Sequence, residues 1–210
     1  MEPIRPVVLE GKHVRLEPLG LHHVQPLAAI VARHRETYRL TAVPADPRGA
    51  QGYVESALAQ ARAGTAFPFA TVDRVREGVV GSTRFWNLEF WTWDDGHPMQ
   101  RPPGVPDAVE IGYTWLAPEA QRTAINTEAK LLMLAHAFEQ WEVHRVNLKT
   151  DVRNARSRAA IERLGARLDG ILRAAVPAAD GGIRDTALYS LLAREWPEAR
   201  DRLRARLARG

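Results

Sequence analysis

Cysteine is absent from this sequence of 210 residues. Its absence excludes disulfide bonds, thiolate nucleophiles, and zinc or iron-sulfur sites built on cysteine. The sequence also shows no motif for another nucleophilic side chain. We therefore expect no chemistry that passes through a covalent intermediate on the protein.

Lysine is scarce, because Lys12, Lys130 and Lys149 are the only lysines among 29 basic residues. Arginine therefore accounts for the isoelectric point of 9.8, although the formal net charge is only +4. Six arginines fall within residues 194–210, where we predict a basic C-terminal helix with a solvated face. The aromatic residues cluster elsewhere, beside acidic residues, so nucleic-acid binding is not expected.

Long apolar runs are also missing. No stretch approaches the ~18 apolar residues of a membrane span, and the N-terminus lacks the apolar core of a signal peptide. These absences predict a cytoplasmic protein with no membrane partner. The length, set against about 150 residues for a typical domain, favours a single domain over residues 1–210.

The hydrophobic residues alternate between strand and helix periods along the chain. No internal repeat is visible, and the mixed order favours an α+β sheet layered with helices over a doubly wound fold. The predicted strands are 13–18, 67–75, 79–85, 109–116, 146–151, 167–176 and 184–192. The predicted helices are 21–32, 50–63, 127–141, 154–164 and 196–207.

Two strand-loop-helix segments carry the chemical signal. In the first, residues 115–130 (WLAPEAQRTAINTEAK), a strand leads through a short polar loop into an amphipathic helix, with Asn126 or Thr127 as the predicted cap. Loop amides and the helix dipole would meet there and favour an anion. An ordinary capped connection would show the same pattern.

The second segment, residues 148–166 (LKTDVRNARSRAAIERLGA), opens a helix with Asn154 at the cap and Ser157 at the third helical position. Together the two segments resemble the GNAT acyltransferase superfamily, most closely its RimJ/RimL-type branch of N-acetyltransferases. The early VRLEPL strand and the final DGGIRDTALYSLLAREW extend the likeness over most of the chain.

The resemblance implies a GNAT-like mixed, largely antiparallel central sheet with helices on both faces and splayed central strands. It also implies acetyl-CoA as co-substrate, with its pantetheine arm between the strands at 109–116 and 146–151, and no metal. The cofactor-binding residues that it implies are Trp115, Leu116, Gln121, Arg122, Thr123, Ala124, Ile125, Asn126, Thr127, Asn154 and Arg158.

The phosphate loop departs from the superfamily pattern [QR]-x-x-G-x-[GA]. Gln121 is kept, but Ala124 and Asn126 stand at the two small positions. Asn tolerates a left-handed conformation, whereas alanine loses roughly 1–2 kcal/mol in one. We therefore expect either a loop with ordinary φ angles at Ala124 or a weaker phosphate cradle.

The resemblance implies direct transfer to an amine. Glu110 is the candidate general base, acting through water, although a strand carboxylate can also simply face solvent. Ser157 is the candidate proton donor to the leaving thiolate. Backbone amides near Tyr113 to Leu116 would polarise the thioester carbonyl.

Residues 86–108 form a predicted aromatic hairpin and loop. We expect Trp86, Trp91, Trp93 and Asp94, together with Tyr113, to bind a cationic, partly apolar amine. The same tryptophans would equally suit a homodimer contact. The histidines lack the spacing of a metal site and are expected to be structural.

Two functions of different classes follow. The first is an acetyl-CoA-dependent N-acetyltransferase whose acceptor amine is a protein N-terminus or a small molecule. The second, motivated by Ala124 and Asn126, is a non-catalytic acyl-CoA-binding or protein-interaction module of the same fold.

Overall fold

A computed structural model describes residues 5–33 and 35–209 of the chain. Its helices are α1 Val24–Val31, α2 Pro47–Arg62, α3 Ala124–Ala135, α4 Ala155–Arg163 and α5 Trp196–Ala208. Its strands are β1 Leu9–Glu10, β2 Val14–Pro18, β3 Ala66–Asp73, β4 Gly78–Glu89, β5 Ala108–Leu116, β6 Arg145–Asp151, β7 Arg167–Pro177 and β8 Ile183–Leu192.

The eight strands form one sheet in the order β1-β2-β3-β4-β5-β6-β8-β7. Every neighbouring pair is antiparallel except β5 and β6, which are parallel. This architecture confirms the predicted α+β, largely antiparallel sheet. None of the helices in the described ranges is long and apolar enough to cross a lipid bilayer.

Local capping explains where several helices begin. The Asp46 carboxylate accepts the Gly49 amide at 2.7 Å, and Pro47 occupies the first turn, so α2 starts three residues before the predicted boundary. The predicted helix at 21–32 divides into a 3₁₀ turn, Leu21–His23, followed by α1. The predicted helix at 127–141 ends in a π turn at His136–Gln140.

Two strand boundaries were predicted wrongly. The turn between β3 and β4 begins at Arg74 because the Asp73 carboxylate accepts the amides of Val75 and Arg76. Strand β4 also continues to Glu89, and its residues Trp86 and Glu89 pair with β5, so residues 86–89 are not part of a protruding hairpin. The two-residue strand β1, too short to show a period, was not predicted.

The core lies on both faces of the sheet. Helices α1 and α2 cover the β3 and β4 region on one face, while α3 and α5 pack against each other. Leu203 and Trp196 anchor α5 in the core, whereas Leu207 is only partly covered. The N-terminal half of the sheet is thereby enclosed, and β5 lies at its centre.

Candidate active site

The site begins where β5 and β6 stop pairing. Their parallel ladder joins only Ala108–Glu110 to Arg145–Asn147, so the edge of β5 that faces β6 has no strand partner beyond that point among the residues that the structure describes. The predicted splay of the central strands is therefore present. An unpaired strand edge offers amide donors and carbonyl acceptors to an extended ligand.

Strand β5 also contains a bulge at this opening. Ser82 pairs with Trp115 and Arg84 pairs with Gly112, so Tyr113 and Thr114 together face the single residue between them on β4. Tyr113 has a left-handed φ of 52°. A bulge leaves its extra residue outside the ladder and re-aims the local amides.

The loop before α3 differs from the prediction in its cap. Thr123, not Asn126 or Thr127, caps the helix, since its hydroxyl accepts the Ile125 amide at 3.3 Å. The left-handed residue of the loop is Arg122, with a φ of 61°, so Ala124 starts the helix without backbone strain. The missing glycine therefore costs the loop nothing at Ala124.

The first turn of α3 has the electrostatics expected of an anion site. Its amides have no intrahelical acceptors, and the positive end of the helix dipole lies there. Arg122 and Thr123 are exposed, and Asn126 and Thr127 are partly exposed. This part of the predicted phosphate loop is open to a ligand.

Other predicted cofactor residues lie in the core. Trp115, Leu116 and Ile125 are all at least 92% buried, and Trp115 packs against the rings of Tyr38 and Tyr53. The side chains of these three residues are therefore withdrawn from a ligand in the opening. The residue types alone do not separate contacts made by side chains from contacts made by the backbone.

The Gln121 side chain ties the loop to the rest of the protein. Its Nε2 donates to the Leu116 carbonyl at 2.9 Å, and its Oε1 accepts Arg156 Nη1 at 2.8 Å. Arg156 also donates to the Thr37 carbonyl. Gln121 and Arg156 therefore join the end of β5 to the start of α4. Arg156 was missed because nothing local in the sequence marks it.

The start of α4 matches the prediction. The Asn154 side-chain oxygen accepts the Ser157 amide at 3.0 Å, which makes Asn154 the cap and Ser157 the third helical residue. Arg158 instead donates through Nε to the Tyr189 hydroxyl at 2.9 Å. That bond directs the guanidinium of Arg158 toward the sheet.

Glu110 pairs with Trp86 and shares its face of the sheet, on which Arg84 contacts α2, and it is only 2% exposed. Its Oε2 atom is 2.8 Å from Lys149 Nζ on β6. Burial raises the pKa of Glu110, and the nearby Lys149 ammonium opposes that rise. A carboxyl group with a raised pKa suits a general base that works near neutral pH. Lys149 was not predicted, although it is one of only three lysines.

Trp86 and Tyr113 cover the region around Glu110. A side chain at Gly112 would come within 2.5 Å of the Trp86 indole nitrogen, so this glycine makes room for the ring. The Trp86 and Tyr113 rings meet edge to face at 5.1 Å, and the guanidinium of Arg84 lies 3.9 Å from the Tyr113 ring centre. Trp86 and Tyr113 therefore lie beside the candidate base, and their role in an acceptor site stays a prediction.

Trp91 and Trp93 lie in the loop after β4 and have other partners. Trp93 donates its indole N–H to Asp107 at 2.7 Å, and Trp91 stacks on His144 with ring centres 5.6 Å apart. Asp94 is exposed, and its carbonyl accepts a turn hydrogen bond from His97. The predicted aromatic set is therefore split: Trp86 lies on β4, whereas Trp91 and Trp93 lie in the loop that follows it.

One cluster has the composition of a metal site. Ligand atoms of Glu17, His22 and His23 lie within 4.8 Å of one another. His23 Nδ1 accepts the Gly20 amide, so His23 Nε2 must carry the proton that it shares with Glu17 Oε1 at 2.8 Å. A metal at Nε2 would have to displace that proton, and these bonds already explain the cluster.

A family model described as an acetyltransferase (GNAT) domain matches residues 13–167 of this chain. The chain belongs to the GNAT acetyltransferase family. A solved structure from T. thermophilus, provisionally named an acetyltransferase, is 33% identical over 97% of this chain and 98% of that one, with a TM-score of 0.77. These matches support the predicted enzyme class.

Two further relatives bear on the branch within the GNAT family. A Bacillus subtilis (strain 168) protein provisionally named ribosomal N-acetyltransferase YdaF is 40% identical over 88 residues, which span 42% of this chain and 47% of that protein. Mycobacterium smegmatis RimJ, solved with CoA-disulfide, shares the fold with a TM-score of 0.78 and 23% identity over 98% of this chain and 97% of that one. The name of the Bacillus subtilis relative agrees with the predicted RimJ/RimL-type branch, and the RimJ structure shows the shared fold.

Proposed function

We propose that the protein is an acetyl-CoA-dependent N-acetyltransferase that transfers an acetyl group directly to a primary amine. The observation that carries the proposal is the opening between β5 and β6. It has the exposed N-terminus of α3 at one end and the buried Glu110 carboxyl at the other. One end of the opening suits phosphates, and the other end provides a proton acceptor.

The residues at the opening fit acetyl-CoA. The first turn of α3 and the Arg122 guanidinium present donors and positive charge to the phosphates. The unpaired edge of β5 offers backbone groups to an amide-containing arm. When bound, acetyl-CoA would supply the activated acyl thioester, and the protein would orient it along β5.

The side chains on the α2 face would prepare the amine. Glu110 would accept a proton from the acceptor through a water molecule, because the carboxyl itself is almost wholly buried. The amides of the bulge at Tyr113 and Thr114 would face negative charge on the acyl oxygen. The Ser157 hydroxyl, at the start of α4, is the proposed proton donor to the leaving thiolate.

A protein amine is the favoured acceptor. The name of the Bacillus subtilis relative refers to ribosomal acetylation, and the aromatic surface formed by Trp86 and Tyr113 suits a chain terminus as well as a small cation. A small-molecule amine is the competing acceptor. We therefore propose an N-terminal peptide amine as substrate and keep small amines as the contrasting arm of the test.

The test is a panel of N-terminal peptides and small amines, read by release of free thiol from acetyl-CoA. We expect turnover with a subset of peptides and acetylation of their α-amine by mass spectrometry. Turnover confined to small amines would overturn the acceptor class. Thermal stabilisation by acetyl-CoA without turnover on any member would instead support the non-catalytic binding module.

A further inference from the structure

Lys130 is a lysine buried beneath the sheet at the site. It lies on α3, is only 4% exposed, and points at strands β4 and β5. Its Nζ atom is 2.9 Å from Thr83 Oγ1 and 2.6 Å from Thr114 Oγ1. The two hydroxyls are 2.8 Å from each other, so the three polar groups form a closed triangle.

Within the described part of the chain, Lys130 is not paired with a negative charge. In residues 5–33 and 35–209, its polar partners are the two threonine hydroxyls, and no carboxylate forms an ion pair with it. Burial lowers the pKa of Lys130 to about 7. Burying an amine without a carboxylate opposes folding, whereas a methionine of similar length would fill the same space without that cost. Packing alone therefore does not explain the residue.

The two threonines face each other at the bulge, one from each strand. Thr83 is the single β4 residue opposite the doubled pair of Tyr113 and Thr114. The extra residue of a bulge has lost its ladder hydrogen bond, so other contacts must hold its conformation. The hydrogen bonds from Lys130 to Thr83 on β4 and to Thr114 on β5 supply such contacts on the core side.

The bulge at Tyr113 and Thr114 also faces the opening between β5 and β6. Beyond Glu110, the edge of β5 that faces β6 has no strand partner among the described residues. Tyr113 keeps a left-handed φ that a tyrosine rarely adopts. On the opposite face, the ring of Tyr113 rests on Arg84. The bulge is thus held from both faces while its edge remains free.

We propose that Lys130 is a positioning residue that clamps Thr83 to Thr114 and so fixes the amides of the β5 bulge against the acyl oxygen. The proposal rests on the proposed acetyl transfer. Lys130 acts through the two threonines and does not touch the substrate. Its loss should lower kcat, because the amides would be misplaced, and leave the KM for acetyl-CoA nearly unchanged, because the phosphate end is untouched.

The experiment compares Lys130→Met, Thr114→Val and the matched control Thr114→Ser, which keeps the hydroxyl. We expect kcat to fall about ten- to hundredfold in the first two variants, with the KM for acetyl-CoA within about twofold. Thr114→Ser should retain most of the wild-type activity. Lys130→Met should melt at or above the wild-type temperature, since it removes a buried amine.

Hydrogen exchange provides a second measurement that needs no activity. The amides of residues 112–116 should exchange faster in Lys130→Met and Thr114→Val than in wild type or Thr114→Ser. Unchanged exchange in Lys130→Met, or a kcat loss shared equally by Thr114→Ser, would overturn the clamp. If wild type transfers no acetyl group, the proposed function fails, and exchange alone still decides the clamp.

Discussion

The two faces of the sheet beside β5 each hold a lysine, and the two lysines have different partners. On the α2 face, Lys149 is about one-third exposed and lies 2.8 Å from the Glu110 carboxylate. On the α3 face, Lys130 is buried, and its polar partners among the described residues are two hydroxyls. The paired face is suited to proton transfer, and the unpaired face is suited to holding geometry. The presence of a carboxylate beside one lysine and not beside the other, more than the lysine itself, determines the chemistry available to each face.

The largest expected effect tests the paired face. Glu110→Gln should lower kcat by about a hundredfold or more, because it preserves the shape and removes the proton acceptor. In wild type, activity should rise with pH as Glu110 ionises, at a pKa above its ordinary value because of burial. That rise should be absent from the pH profile of the variant.

The control for this change is Glu119→Gln, at an exposed carboxyl near the end of β5. It should keep both the rate and the pH profile of wild type. A wild-type pH profile in Glu110→Gln would remove Glu110 from the proton-transfer role and end the contrast between the faces.

The second effect concerns stability on the unpaired face. The pKa of Lys130 falls from 10.5 to about 7 on folding, so between these pH values the unfolded chain binds more protons than the folded one. The free energy of unfolding should therefore rise with pH over this range, relative to Lys130→Met, by on the order of a few kcal/mol. Below pH 7 the full penalty of the buried ammonium is present.

Urea unfolding at several pH values measures this difference. The matched control is Lys12→Met, at an exposed lysine, which should follow the wild-type pH dependence. Parallel stability curves for wild type and Lys130→Met would mean that Lys130 keeps its ordinary pKa, and the two faces would then no longer differ in this respect.

A smaller effect is expected at the phosphate end, which belongs to neither face. Arg122→Glu should weaken CoA binding at least several-fold, because it reverses an exposed charge at the N-terminus of α3. Arg122→Gln, which only removes the charge, should weaken binding less. Calorimetry measures both, and equal affinity in wild type and Arg122→Glu would place the phosphates elsewhere.

The smallest effect is expected from the outer aromatic loop. Trp93 binds Asp107 within the chain, so Trp93→Ala with Asp94→Asn should change the acceptor KM less than Trp86→Ala does, and should leave the acetyl-CoA KM alone. Asp95→Asn is the control in the same loop. A large rise in acceptor KM would extend the acceptor site to the loop.

Sedimentation of the same double variant tests the competing role of the loop. A shift toward monomer with normal kinetics would assign Trp93 and Asp94 to an interface between copies of the chain. If both the kinetics and the sedimentation stay as in wild type, the loop has no role in the acceptor site or in assembly.

Much of the fold was predictable because its signals are local. The amphipathic pattern of α3 and the alternation in β5 each need only a few neighbouring residues to be recognised. The cap at Thr123 was missed because Asn126 and Thr127 are equally good capping residues by type. The choice among them depends on the left-handed turn at Arg122, which no single residue type requires.

The sequence by itself determined the family resemblance, the absence of thiol chemistry and the Asn154 cap, whose partner is three residues away. Only the tertiary structure brought Lys130 to Thr83, 47 residues away, and Lys149 to Glu110. It also separated Trp86 from Trp93. These contacts depend on strand register and on one bulge, and a shift of a single residue would turn the side chains to the other face of the sheet.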